Sequence, residues 1–533
     1  MSSHLVIAPI VLPLLVAALQ LLVGGRSRRA VDALSVASCI ALVALSAVLV
    51  SSAASDGVAG AVYRIGDWPA RFGIVLVADR LSTLMVLLTS VVGLVILPYA
   101  LSHWQRRSGY FQPLLQFLLM GLNGAFLTGD LFNLFVFFEV LLAASYGLAL
   151  HGSGPRRVSA GLHYIAVNLT ASMLFLVGVS LIFGVTGTLN MAALAALIPT
   201  VPDHTRALLH AGAAILGVAF LVKTAMWPLG FWLPRTYAAS APAVAAMFVL
   251  MTKVGIYILL RLGLLLFGAD AGPASAGFGS SWMLWGGCAT VLAGIVGLLA
   301  ARDLGTLAGY NVIISSGTLL GAVALKVPAV TAGALAYLVV STLAISAFFL
   351  VAGLLTPDRD EEAGSSLQLE PYVQAGDTGE SLYAEEDESR VVISAPVAIL
   401  ALSFLLCALL LSGLPPLSGF LAKFALLAPL TTTMSGVGSG AVTLFVLVIA
   451  AGFFTIIAMC RAGIQIFWAD SERYFPDVRM GETVSVLVLL ALCVVLTVAV
   501  DRPMRYLQET ARQLHAPAEY IQQVLPPPEA WPR

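Results

Sequence analysis

Three lysines and one glutamate stand where charge is expensive. Lys223, Lys253 and Lys423 each lie inside a long apolar run, and so does one carboxylate, Glu139. A charge at the centre of a membrane helix costs about 2.5–3.5 kcal/mol even on lenient insertion scales, so four amount to roughly 10 kcal/mol unless they face protein, water or each other. Snorkelling suits a lysine near a helix end, but each of these is preceded or followed by many apolar residues. The chemistry open to such groups is proton exchange. Burial penalises a charged amine and a nearby carboxylate restores it, so a buried lysine with an acidic neighbour is a proton site whose affinity can be switched. Glu139 and Lys223 are the candidate pair. His163, with Tyr164 and Asn168 nearby in sequence, is a candidate relay member, although a lone membrane histidine more often simply packs; His210 reads that way. Asp130 reads as the cap of the helix that carries Glu139.

Two of the lysines lie beside helix breakers. Lys223 is five residues before Pro228 in LVKTAMWPLGFWLP, and Lys423 is seven residues after Pro416 in SGLPPLSGFLAKF, where Pro415 doubles the break. Proline removes a backbone donor and clashes with the preceding turn, and broken backbone inside a bilayer survives only where protein or water satisfies it. Interrupted helices at matching places in two halves are the mark of an inverted-repeat transporter. Here the breaks fall in the seventh and twelfth apolar segments, which implies two five-helix repeats, segments 4–8 and 9–13.

The elements that must position these groups follow from composition. Only 10% of the 533 residues are charged and 59% are hydrophobic, with a mean hydropathy of +0.97. A soluble globule would carry roughly a quarter charged residues, so the chain is an all-α polytopic membrane protein. A span needs about 20 apolar residues. Hydropathy marks fourteen, near 5–25, 32–53, 81–101, 111–129, 131–150, 160–185, 209–232, 242–266, 281–300, 304–325, 328–355, 392–428 (interrupted), 440–466 and 481–500. The first run has no basic residues before it and no A-x-A cleavage signal, so it reads as a retained helix. The domains expected are 1–110 (helices 1–3), 111–270 (first repeat), 271–470 (second repeat) and 471–533 (helix 14 and tail). Eleven of the 28 acidic residues fall between Asp358 and Glu388, in a Gly-, Ser- and Glu-rich loop, 356–391. The tail reads as helical from Asp501 to about Val524.

Five cysteines, each in an apolar run without a C-x-x-C pair, imply neither disulfides nor a metal cluster and read as small core residues. The net charge of −1 says nothing about partners. Loop charges say more. With the N-terminus outside, fourteen Arg/Lys fall in cytoplasmic loops and six, Arg261 among them, in the opposite loops, so the positive-inside rule places both termini outside.

The chain resembles the antiporter-like subunits shared by respiratory complex I, membrane-bound hydrogenases and Mrp antiporters, most closely the D-type branch of the Mrp subunits. The matching segments are GAFLTGDLFNLFVFFEVLLAASYGL, KTAMWPLGFWLPRTYAASAP, MTKVGIYILLR, SSGTLLGA, GLPPLSGFLAK and the tail YLQETARQLHAPAEYIQQVL. This resemblance implies fourteen helices with two inverted repeats, and it carries the family's glutamate on helix 5 and lysines on helices 7, 8 and 12 onto Glu139, Lys223, Lys253 and Lys423. A lysine at 423 and Gly230 in PLGFWLP, where many complex I and hydrogenase relatives have histidine, favour the Mrp branch. On helix 11 the chain has Val340 and Ile345 where relatives usually carry His and often Lys, so a central relay must run through water, Ser341 or Thr342.

The expected function is proton translocation in a multisubunit Na⁺ or K⁺/H⁺ antiporter of the bacterial inner membrane. The expected partners are subunits of the A, B, C, E, F and G types, with no metal, organic cofactor, nucleic acid or enzymatic step. The alternative is a proton-pumping subunit of a complex I or hydrogenase type; a non-transporting scaffold has no reason to tolerate the buried charges.

Overall fold

The computed structural model describes residues 3–525 except 25–26, 56–60, 69–72, 104–109, 153, 357–394, 434–437 and 468–478. The acidic loop therefore lies outside the described residues from 357 onward. Helices dominate because a backbone in lipid must satisfy its own donors and acceptors. In chain order they are α1 (Ala8–Val23), α2 (Arg28–Ser55), α3 (Arg80–His103), α4 (Phe111–Leu127), α5 (Leu131–Ala149), α6 (Pro155–Thr186), α7 (Met191–Leu197), α8 (Asp203–Lys223), α9 (Leu233–Ala239) and α10 (Pro242–Leu265). There follow α11 (Ser280–Ala300), α12 (Leu304–Ala324), α13 (Pro328–Leu355), α14 (Ala395–Ser412), α15 (Ser418–Thr433), α16 (Gly438–Phe467), α17 (Met480–Val498), α18 (Asp501–Leu514) and α19 (Pro517–Val524).

Twelve of these helices are long and apolar enough to cross a membrane; α1 and α4 are apolar but shorter. Three occupy the centre. Helices α10, α12 and α13 are buried on nearly every side, whereas α2, α6, α11, α14, α16 and α17 leave a large share of their surface exposed. The central helices can be apolar all round because their neighbours, rather than lipid, surround them.

Among the described residues the fold is all-α apart from one small two-stranded sheet. Two four-residue strands, β1 (Ala61–Arg64) and β2 (Val75–Ala78), pair antiparallel with Ala61 opposite Ala78. Strands this short carry too few alternations to register as a period, and β2, buried along its whole length, lies just before the span expected at 81–101. The tail forms two helices, α18 and α19, broken at His515 and Ala516.

Both expected helix breaks occur. After α8 the backbone leaves the helix at Ala225, with positive φ, and passes a cis Trp227–Pro228 bond before α9. Between α14 and α15 it turns at Gly413, φ +78°, and passes a cis Pro415–Pro416 bond. Asp130 caps α5, accepting from the backbone N–H groups of Phe132 and Asn133. Four cysteines are buried as expected; Cys460 is the exception, exposed on α16.

Candidate functional site

The four charges sit on α5, α8, α10 and α15; Lys223 and Lys253 are buried, and Glu139 and Lys423 are half-buried. Lys223 is the last residue of α8, at the lip of the first break. Its Nζ donates to Asn168 Oδ1 on α6 at 2.7 Å and lies 5.6 Å from the centre of the Phe138 ring. Glu139, on α5, accepts from Ser172 Oγ. Asn168 and Ser172 are four residues apart on α6, so they share a face, and both are buried. One turn of α6 therefore holds the ammonium at one end and the carboxylate at the other. Lys223 and Glu139 make no direct ion pair; a cavity of about 10 Å³ lined by Lys223, Ser172, Phe135 and Phe138 lies beside them, close to the space of a single water.

Lys253 is fully enclosed in α10. Its Nζ donates to Ser315 Oγ on α12 at 2.6 Å, and Ser315 Oγ donates to Ser341 Oγ on α13 at 3.0 Å. This three-helix chain of polar atoms runs from the lysine into the segment where Val340 and Ile345 are apolar and buried. Of the two hydroxyls expected to bridge there, Ser341 accepts from Ser315 and donates on to Leu338 O of its own helix at 3.3 Å, and Thr342 donates to the same carbonyl at 2.6 Å. Close packing brings the two lysine-bearing helices together at Gly255, where a Cβ would come within 2.6 Å of Thr224 Cγ2, so α10 abuts the end of α8 next to Lys223.

Lys423 has a different kind of partner. Its Nζ donates to Leu411 O at 2.9 Å and Ser412 O at 2.8 Å. These are carbonyls at the C-terminus of α14, where a helix leaves acceptors unsatisfied and concentrates negative partial charge. The break at Pro415 and Pro416 thus creates the site that holds the lysine. The turn at Gly413 is required twice over, by its positive φ and because a Cβ there would come within 2.6 Å of Lys423 Cδ.

His163 is not brought to this line. It is exposed on α6, with Nδ1 2.8 Å from Ser159 O. His210 packs as expected, stacked on Phe278 at 4.5 Å and bonded to Ser275 Oγ. Among the described residues no group of His, Cys, Asp and Glu side chains could hold a metal ion.

A second buried charge pair escapes sequence reasoning. Arg261 reads as a loop residue, yet it lies inside α10, eight residues beyond Lys253, and forms a bidentate ion pair with Asp79 (2.5 and 2.8 Å). Tyr257 and Tyr520 cover its guanidinium on two sides, at 5.2 and 5.4 Å, which places the tail helix α19 over the pair.

Residues 128–455, which contain Glu139, Lys223, Lys253 and Lys423, match the model of the NADH:quinone oxidoreductase/Mrp antiporter transmembrane family. The chain belongs to this family. Relatives in it include the probable D-type K⁺/H⁺ antiporter subunit of Rhizobium meliloti, 51% identical over 99% of this chain and 98% of that one. The D-type Na⁺/H⁺ antiporter subunit of Alkalihalophilus pseudofirmus is 33% identical over 98% and 99%. Among solved structures of the family's fold, a chain of the Mrp complex from Dietzia sp. DQ12-45-1b superposes with a TM-score of 0.81 at 26% identity, covering 98% of this chain and 100% of that chain.

Proposed function

We propose that this chain is the proton-translocating, D-type member of a multisubunit monovalent cation/proton antiporter, exchanging external protons for internal Na⁺ or K⁺ across the bacterial plasma membrane. The observation that carries the proposal is the buried polar line itself: Glu139–Ser172 beside Asn168–Lys223, then Lys253–Ser315–Ser341, with Lys423 at the second break. The antiporter names of the D-type relatives support the antiport reading, and their lettering with the Mrp-complex neighbour supports a multisubunit assembly, for which the partners proposed are subunits of the A, B, C, E, F and G types. The redox-pump alternative has weaker support than this reading, which rests on a relative 51% identical over nearly the whole chain.

In this reading Lys223 exchanges its proton according to whether its ammonium faces Asn168 or Glu139. A buried amine keeps its proton only while an acceptor or counter-charge compensates for lost water. Lys253 receives the proton and passes it through the Ser315 and Ser341 hydroxyls toward Lys423. His163 belongs to this relay only if a hydrated path reaches the exposed face of α6. No metal or organic cofactor takes part. The organisation proposed alongside is fourteen spans, counting α8–α9 and α14–α15 as single broken spans, with inverted repeats over 111–270 and 271–470 flanked by 1–110 and 471–533, and both termini extracytoplasmic.

The deciding experiment is Lys253→Met in the complete complex, assayed as cation-driven proton movement in inverted vesicles at matched assembly. Loss of exchange is expected. Exchange near the unsubstituted level would overturn the relay. A reporter fused at Arg533 that works only in the cytoplasm would overturn the topology.

A further inference from the structure

Five arginines line one cavity, and the one carboxylate beside them is already committed. The cavity, of about 2330 Å³, opens between α6 and the α8–α9 break on one side and α11, α12 and α16 on the other. Arg156, Arg235 and Arg302 line it, are exposed, and make no hydrogen bond or ion pair with any described residue. Arg461 adds a fourth charge while donating to Leu299 O and Ala301 O at 2.8 Å, and Arg157 a fifth while its Nε donates to Ala239 O at 2.9 Å. The one carboxylate among the described lining residues is Asp303, already committed to capping α12 through Thr306 N at 2.8 Å and Thr306 Oγ1 at 2.7 Å. Elsewhere the described arginines often find acids: Arg261 pairs with Asp79, Arg206 with Asp203, Arg505 with Asp501, and Arg512 with Glu509 and Glu519.

Part of the cavity wall is apolar and uncovered. Trp227 and Phe231 at the break are 55% and 64% exposed, and Leu292 and Val296 on α11 are 54% and 63% exposed. A general excess of arginine on one membrane face follows from insertion. It does not account for unpaired guanidinium groups drawn around one space whose other wall is hydrocarbon-like. An occupant that satisfies both must carry an anion that guanidinium groups can grip, in the manner of phosphate oxygens, joined to apolar chains. Basic pockets between membrane helices bind anionic headgroups in this way.

We propose that this cavity is a binding site for an anionic phospholipid, with its phosphate between Arg156, Arg235 and Arg302 and its acyl chains along Trp227, Phe231, Leu292 and Val296. His163 also lines this cavity, but Glu139, Lys223, Lys253 and Lys423 do not, and the test does not depend on the relay reading.

The whole antiporter complex would be placed in phosphatidylcholine nanodiscs containing graded phosphatidylglycerol, then transferred to detergent, and the retained lipid counted by mass spectrometry. Preferential retention of phosphatidylglycerol is expected. Retention should weaken about fivefold for each arginine removed, the ratio given by about 1 kcal/mol per basic residue, so Arg235→Gln with Arg302→Gln should lose most of it. Val296→Trp leaves every arginine in place and fills the acyl wall; it should also lower retention, and it keeps the test open if the arginine variants fail to assemble. Equal retention of the two lipids, or unchanged retention in both variants, would overturn the proposal. So would displacement by inorganic phosphate with no effect of Val296→Trp, which would mark a free-anion site. Cross-linking of Val296→Cys to another subunit would assign the cavity to a protein partner. A several-fold rise in retention on deleting 360–388 would assign it to the chain's own acidic stretch. Either result would also overturn it.

Discussion

Lys223 is bonded to Asn168 and not to Glu139, the carboxylate one helical turn away on the far side of Ser172. The two partners proposed for the ammonium therefore lie side by side, Asn168 on α6 and Glu139 on α5 against Ser172, and the ammonium is bonded to the neutral one. Losing a hydrogen bond to a charged group costs about 1.5–3 kcal/mol, or about 10- to 100-fold in a rate that depends on it. Glu139→Gln and Lys223→Ala should each lower exchange by that factor without impairing assembly. The double variant should be no worse than either single one, because both changes disable one unit. Cation-driven proton uptake in inverted vesicles measures all three; cleanly additive losses would mean that the residues act separately.

Ser315 joins Lys253 to Ser341, and it is the acceptor that the Lys253 ammonium reaches among the described residues. Ser315→Ala removes the acceptor and the bridge together and should slow exchange at least about tenfold, close to one neutral-to-charged hydrogen bond. Ser315→Thr keeps a hydroxyl and should restore most of the rate. Thr342→Val should have little effect, since that hydroxyl serves its own helix. A Thr342→Val variant slower than Ser315→Ala would redirect the path.

What could be read without coordinates was whatever costs free energy in lipid. Apolar runs long enough to span, lysines inside them and prolines that break them each carry a penalty that only a specific environment relieves, so they stand out in one sequence. Ser172 and Ser315 do not, because a hydroxyl can bond to its own helix at little cost, as Thr342 and Thr455 do here. Arg261 misleads for a different reason. It lies near the end of an apolar run, where a loop arginine is ordinary, and its partner Asp79 is 182 residues away, beyond any local pattern. His163 misleads in the opposite sense: its polar neighbours Tyr164 and Asn168 are close in sequence, but on a helix they turn inward while it faces out.

The tail should loosen on acidification through His515. Its Nε2 lies 3.1 Å from Thr331 Oγ1. Burial, and then the charge of Lys326, hold the imidazole below the usual histidine range, while burial pushes the Lys326 amine down to about 8. A docked tail therefore binds the His515 proton less readily than a free one. Its docking is fully favoured above about pH 6.5, the ordinary histidine value, and weakens as pH falls below that. The protection of residues 501–524 against hydrogen exchange, corrected for the base-catalysed intrinsic rate, should fall as the pH is lowered from about 7.5 to about 5.5, a window that brackets the histidine value, and His515→Gln should flatten the dependence. Equal pH dependence in the variant would assign the effect to another group.

The Asp79–Arg261 pair should anchor the same tail without responding to pH in that window. Burial raises the Asp79 carboxyl, but Arg261 and the Ser82 contacts outweigh it and leave it below the usual carboxylate range. Such a carboxylate contributes its full stability above about pH 3.9 and loses it only as pH falls through its lower folded value, so it stays ionised throughout the range where His515 titrates. Its energetics follow from burial. The side chains of Arg261 and Asp79 are 5% and 11% exposed, and removing one partner of such a pair costs about 3–5 kcal/mol because the other charge is left uncompensated. Asp79→Asn or Arg261→Gln should thus lower the thermal midpoint of the complex and release α19, whose Tyr520 lies over the guanidinium and whose Val524 carbonyl accepts from Arg64 at 3.0 Å. Asp79→Leu combined with Arg261→Met removes both charges and should cost less than either single change. If the double variant instead loses the sum of the two singles, the groups are not energetically a pair, and the tail is held by its aromatic and backbone contacts alone.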